Sequence, residues 1–95
     1  MYNYELKKNE DGQFICPWCG EVIKNLQYVE TGDGLFKIYM NGDVIKTEFQ
    51  DFIENGDEKL IVHPECGGVI CDYSSKTIQL IKEMLRSIEK IEEEL

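Results

Sequence analysis

Residues 16–23 read Cys-Pro-Trp-Cys-Gly-Glu-Val-Ile, and residues 63–70 read His-Pro-Glu-Cys-Gly-Gly-Val-Ile. Pro, Cys, Gly, Val and Ile return in register, and His63 stands where Cys16 stood. Two short loops, each presenting two soft or borderline donors on one side, are what a tetrahedral metal site requires. The proline fixes one φ angle after the first donor. The glycine after the second permits a left-handed turn that aims backbone amides at the thiolates. Cys16, Cys19, His63 and Cys66 are therefore the candidate ligands of one structural zinc ion. Three thiolates and a neutral imidazole close the coordination shell and leave no position open for catalysis. Cys71 is an alternative fourth ligand, because only four residues separate it from Cys66. An all-cysteine set would leave His63 outside; otherwise Cys71 reads as a small buried strand residue.

Through the pattern Cys-Pro-x-Cys-Gly the two loops resemble the knuckles of the zinc-ribbon group. The resemblance covers residues 14–20 and 61–67. It implies a structural metal and says little about function, because such ribbons serve transcription, translation, nucleotide enzymes and adaptors alike. The 43 residues between Cys19 and His63 far exceed the ~15–20 of a plain four-cysteine spacing, so something of its own folds between the loops. Cys16-Pro-Trp-Cys19 is also similar to the Cys-Pro-aromatic-Cys centre of glutaredoxin-like oxidoreductases, where the first thiolate stands at a helix N-terminus. Here Gly20 follows at once and residues 22–30 read as extended. Dithiol redox activity is the remote alternative.

Between the loops the pattern is that of strands. Residues 2–8 and 13–15 suggest two short strands around the turn at Asn9–Gly12, and residues 22–30 a third. Residues 35–40 and 43–49 form a hairpin about Asn41-Gly42, a dipeptide suited to a type I′ turn. Setting Met40 opposite Asp43 pairs Ile38 with Ile45 and Phe36 with Thr47. Phe36, Ile38, Met40, Ile45, Thr47 and Phe49 then share the core face, while Lys37 and Lys46 meet on the other. Residues 58–62 return to deliver His63, so the middle reads as a meander of about four antiparallel strands.

Residues 75–95 read as a helix capped by Ser74 or Ser75, with an apolar stripe at Thr77, Ile81, Met84, Ile88, Ile91 and Leu95. At 21 residues it would extend about 30 Å, more than a small sheet covers. Ile88, Ile91 and Leu95 are thus candidates for partner binding or for a homodimer seam. The expected class is α+β: a zinc-ribbon-like antiparallel meander with two knuckles and one long C-terminal amphipathic helix. It forms a single domain over 1–95, with 1–73 β-rich and 74–95 helical.

Nineteen acidic against ten basic residues give a net charge of −9. Residues 47–58 hold five carboxylates and no base. A protein that binds nucleic acid directly carries a basic stripe to displace counterions, and here the field has the opposite sign. No apolar run approaches membrane-span length, and no basic-then-apolar leader opens the chain. The expectation is a cytoplasmic protein whose cysteines serve as ligands rather than disulfides. With one histidine already committed and no phosphate-cradling loop, no catalytic constellation is visible. The function expected is therefore a non-enzymatic, zinc-stabilised protein-interaction module, an adaptor or an acidic mimic that meets a basic partner surface. Trp18 is a further contact candidate, because tryptophan is enriched among interface anchors. The alternative is a ribbon component of a transcription or RNA-processing assembly.

Overall fold

The computed structural model describes residues 6–30, 32, 34–52 and 58–93. Among these residues five strands form one antiparallel sheet: Gln27–Glu30 (β1), Gly34–Asn41 (β2), Val44–Asp51 (β3), Lys59–His63 (β4) and Gly68–Asp72 (β5). Helix α1, Ile78–Glu93, follows. The class is α+β, as the alternation of strand patterns and a final amphipathic stretch implies. Among the described residues no helix is long and apolar enough to cross a membrane.

The strand order is β3-β2-β1-β4-β5, which corrects the expected sequential meander. β4 pairs with β1 and not with β3. Burial explains the choice: Ile61 and His63 on β4 are both fully buried, whereas β3 is exposed at every position but Ile45. A strand with fully buried inward residues belongs between two neighbours, and a polar one belongs at the edge. The crossover also positions the site. Because β1 and β4 are antiparallel, the start of β1 lies beside the end of β4, with Gln27 opposite Val62. The first cysteine loop and His63 therefore meet at one end of the sheet.

The β2–β3 hairpin forms, two residues out of the expected register. Asn41 pairs with Val44, Met40 with Ile45, Ile38 with Thr47 and Phe36 with Phe49. The two-residue loop is Gly42-Asp43. Only Gly42 has a positive φ, 65°, as in a type II′ turn, so Asn41 stays in the strand. A shift of two preserves the face of every side chain. It also places Lys37 opposite Glu48 and Lys46 opposite Tyr39, which removes the expected lysine clash. Among the described residues of the expected early strands, two isolated bridges form, Lys8 with Phe14 and Ile15 with Val22. Residues 2–5 lie outside the described residues.

One face of the sheet carries the core. Tyr28, Ile38, Met40, Ile61, Ile70 and Cys71 meet Ile81, Met84, Leu85 and Ile88 of α1. A register irregularity between Ile61 and Val62 leaves Ile70 as an extra residue on β5, which lets the adjacent Ile70 and Cys71 both face inward. Helix α1 starts three residues later than expected, and Thr77, not Ser74 or Ser75, closes its N-terminus. The Thr77 carbonyl accepts the first helical bond from the Ile81 amide (2.9 Å). The buried Thr77 hydroxyl donates to the Asp72 carbonyl (2.7 Å) and accepts from the Ser74 amide (2.9 Å).

Candidate metal centre

The first loop is a small closed hairpin. The Ile23 amide donates to the Phe14 carbonyl and the Cys16 amide to the Glu21 carbonyl, each at 2.8 Å, so the two arms run side by side. Phe14, Cys16 and Ile23 are buried, which plants the loop in the core. At its tip the Gly20 amide donates to the Cys16 carbonyl (3.0 Å), with Gly20 at φ 76°. The second loop joins β4 to β5 and repeats this chemistry: the Gly67 amide donates to the His63 carbonyl (2.8 Å), with Gly67 at φ 73°. The left-handed glycine after each second cysteine is what the repeated Cys-Gly pair calls for.

The four donors Cys16 Sγ, Cys19 Sγ, His63 Nδ1 and Cys66 Sγ all lie within 4.8 Å of one another. Cys16 Sγ stands 3.6 Å from Cys66 Sγ, and His63 Nδ1 stands 3.5 Å from both Cys19 Sγ and Cys66 Sγ. Bond lengths of about 2.3 Å to sulfur and about 2.0 Å to nitrogen set tetrahedral edges near 3.8 Å and 3.5 Å. These three edges match such a shell, and the remaining donor pairs lie within 4.8 Å, an arrangement consistent with one bound metal ion. The Gly68 amide donates to Cys66 Sγ (3.4 Å), the kind of bond that offsets thiolate charge.

Since Nδ1 faces the sulfurs, a bound metal leaves the proton on Nε2. That atom is buried and, among the described residues, has no hydrogen-bond partner. The Glu65 Oε2 carboxylate oxygen is 3.9 Å away, a pairing marked in the sequence by nothing beyond the spacing of two. Cys71 does not join the cluster. It lies fully buried in the core, where burial pushes its thiol up to about 12 and Asp72 adds to the effect.

Trp18 bridges the two loops. Its Nε1–H donates to the Val69 carbonyl (2.7 Å), and its ring lies so close over Gly68 that a Cβ there would collide with it. The side chain nonetheless remains 67% exposed. Of the helix residues expected to bind partners, Ile88 is part of the buried core and Ile91 is half-buried. Leu95 lies outside the described residues. Comparison of the chain with protein-family models, with curated proteins and with solved structures finds no match. The donor cluster itself is compatible with a small metal-binding module.

Proposed function

We propose that the chain is a small non-enzymatic interaction module, stapled by one structural zinc in a ribbon-like arrangement, that presents Trp18 to a basic surface on a cytoplasmic protein partner. The observation that carries this reading is the state of Trp18. Its indole is exposed, yet it is held along its pyrrole edge, by its N–H bond to Val69 and by contact with Gly68. An anchor held rigid before binding loses little side-chain freedom on binding. Exposed carboxylates at Glu21 and Glu65 flank it on the two loops, and the charge of −9 favours a basic counterpart. Zinc is the best fit to a closed set of three thiolates and one imidazole. A dithiol redox role has less support: Cys16 sits in a hairpin loop, away from the helix N-terminus that activates such thiols.

The test is a pull-down of the zinc-loaded protein from its own cell's lysate, after nuclease treatment, with wild type beside Trp18→Ala. The expected result is one stoichiometric protein that is lost with Trp18→Ala at unchanged zinc content and weakens as salt rises. Capture unaffected by the substitution, or abolished by nuclease, contradicts the proposal.

A further inference from the structure

Three of the four exposed large apolar side chains among the described residues lie along or directly after one strand. Among the described residues the exposed ones are Trp18, Val44 (55%), Phe49 (59%) and Phe52 (57%). The last three belong to β3 or follow it directly. Among the described residues β3 is an edge of the sheet, eight residues long and paired on one side only, with β2. An edge strand of this length with apolar side chains is a template for another strand.

The hairpin geometry says which backbone groups are open. The turn closes on Asn41 and Val44, the pair that a two-residue loop joins by hydrogen bonds. By alternation Val44, Lys46 and Glu48 direct their amides and carbonyls to β2, and Ile45, Thr47 and Phe49 direct theirs outward. We infer that this edge pairs with the same edge of a second copy, antiparallel and centred on Thr47, to give a ten-stranded sheet across a two-fold axis.

The side chains favour that register. Residues related by the axis are 45 with 49, 46 with 48, and 47 with itself. Ile45 then packs against Phe49 of the other copy on the core side of the sheet. On the opposite face Lys46 meets Glu48, and each of these pairs occurs twice. The strand is thus complementary in charge to its own reverse. The unfavourable pair at the ends, Asp43 with Asp51, is muted. Asp43 already holds Arg86 at 2.7 Å, and Asp51 turns its carboxylate back to the Phe52 amide at 2.8 Å. The occupant of the edge is therefore a second copy of this chain. The interface lies on the opposite side of the sheet from the β4–β5 loop that carries His63 and Cys66.

Sedimentation equilibrium of the full, zinc-loaded chain tests this with three charge variants. Wild type should show a concentration-dependent monomer–dimer equilibrium. Lys46→Glu, or Glu48→Lys, sets like charges opposite each other twice, and each should raise the dissociation constant about tenfold or more. The exchange Lys46→Glu with Glu48→Lys restores complementarity and should bring the dimer back. Zinc content and far-ultraviolet dichroism confirm that each variant is folded. A wild-type protein that stays monomeric at all concentrations overturns the inference. So does a dimer indifferent to Lys46→Glu, as a seam along α1 would give, or an exchange variant that fails to recover.

Discussion

His63 is the residue on which the centre depends most, because it has two nitrogens and only one points at the sulfurs. Metal at Nδ1 leaves a buried N–H at Nε2, and a buried donor without an acceptor costs about 1–3 kcal/mol. Glu65, whose carboxylate is 3.9 Å away, is the group in reach to accept it. Glu65→Ala is expected to weaken zinc binding about tenfold in a competition with a chelator. The same change made with His63→Cys should have little effect, since no imidazole proton then needs holding. Equal losses in both backgrounds would show that the carboxylate acts only through its charge. Cys71 is the opposite case. Cys71→Ser puts a hydroxyl into an apolar site, so it should lower stability by about 1–3 kcal/mol while the protein still retains its metal. Loss of zinc from that variant, with retention by His63→Ala, would reverse the ligand assignment.

The elements differ in how plainly their residues announced them. Both loops were legible, since the repeated Cys-Pro-x-Cys-Gly pattern fixes donors and glycines together. The core face of the β2–β3 hairpin was legible too, because alternation survives a shift of two. The register was not. Asn41-Gly42 and Gly42-Asp43 are both acceptable turn pairs, and the choice fell to cross-strand packing of Phe36 on Phe49, ring centres 5.5 Å apart. The start of α1 was missed for a similar reason. Two serines offered local caps, but Thr77 could reach the β5 carbonyl of Asp72, a contact that exists only in the folded molecule. Thr77→Val keeps the shape and removes that bond. It should cost about 1–3 kcal/mol in denaturant unfolding, because the Ser74 amide and Asp72 carbonyl lose a buried partner. A change below about 0.5 kcal/mol would mean that these bonds contribute little. At Gly34, φ is 141° and a Cβ would strike the Asp51 carbonyl and the Phe49 ring. Gly34→Ala is therefore expected to destabilise by well over about 1 kcal/mol.

At the scale of the whole molecule, the strand order could not be read from the sequence. Whether β4 joins β3 or β1 depends on which strands lie between two neighbours, a property of the assembled sheet. That order brings two loops 43 residues apart in sequence to one end of the sheet, so a bound ion ties distant parts of a small core. Burial of Cys71 adds a pH dependence of known sign. Its thiol ionises at about 12 in the fold and near 9.0 when unperturbed. The neutral form is the one the core holds, so this contribution is complete below pH 9 and is lost as pH rises towards 12. Melting temperature should fall across that window, and Cys71→Val should flatten the fall; a variant with the same alkaline slope as wild type would place the loss elsewhere.

The claim from which the rest follows is that one zinc ion is held by Cys16, Cys19, His63 and Cys66. Metal analysis of the purified protein together with X-ray absorption at the zinc edge addresses it most directly. The expected result is one zinc per chain, with three sulfurs at about 2.3 Å and one imidazole nitrogen at about 2.0 Å. Protein that folds without bound metal, or a zinc shell of four sulfurs, would contradict it.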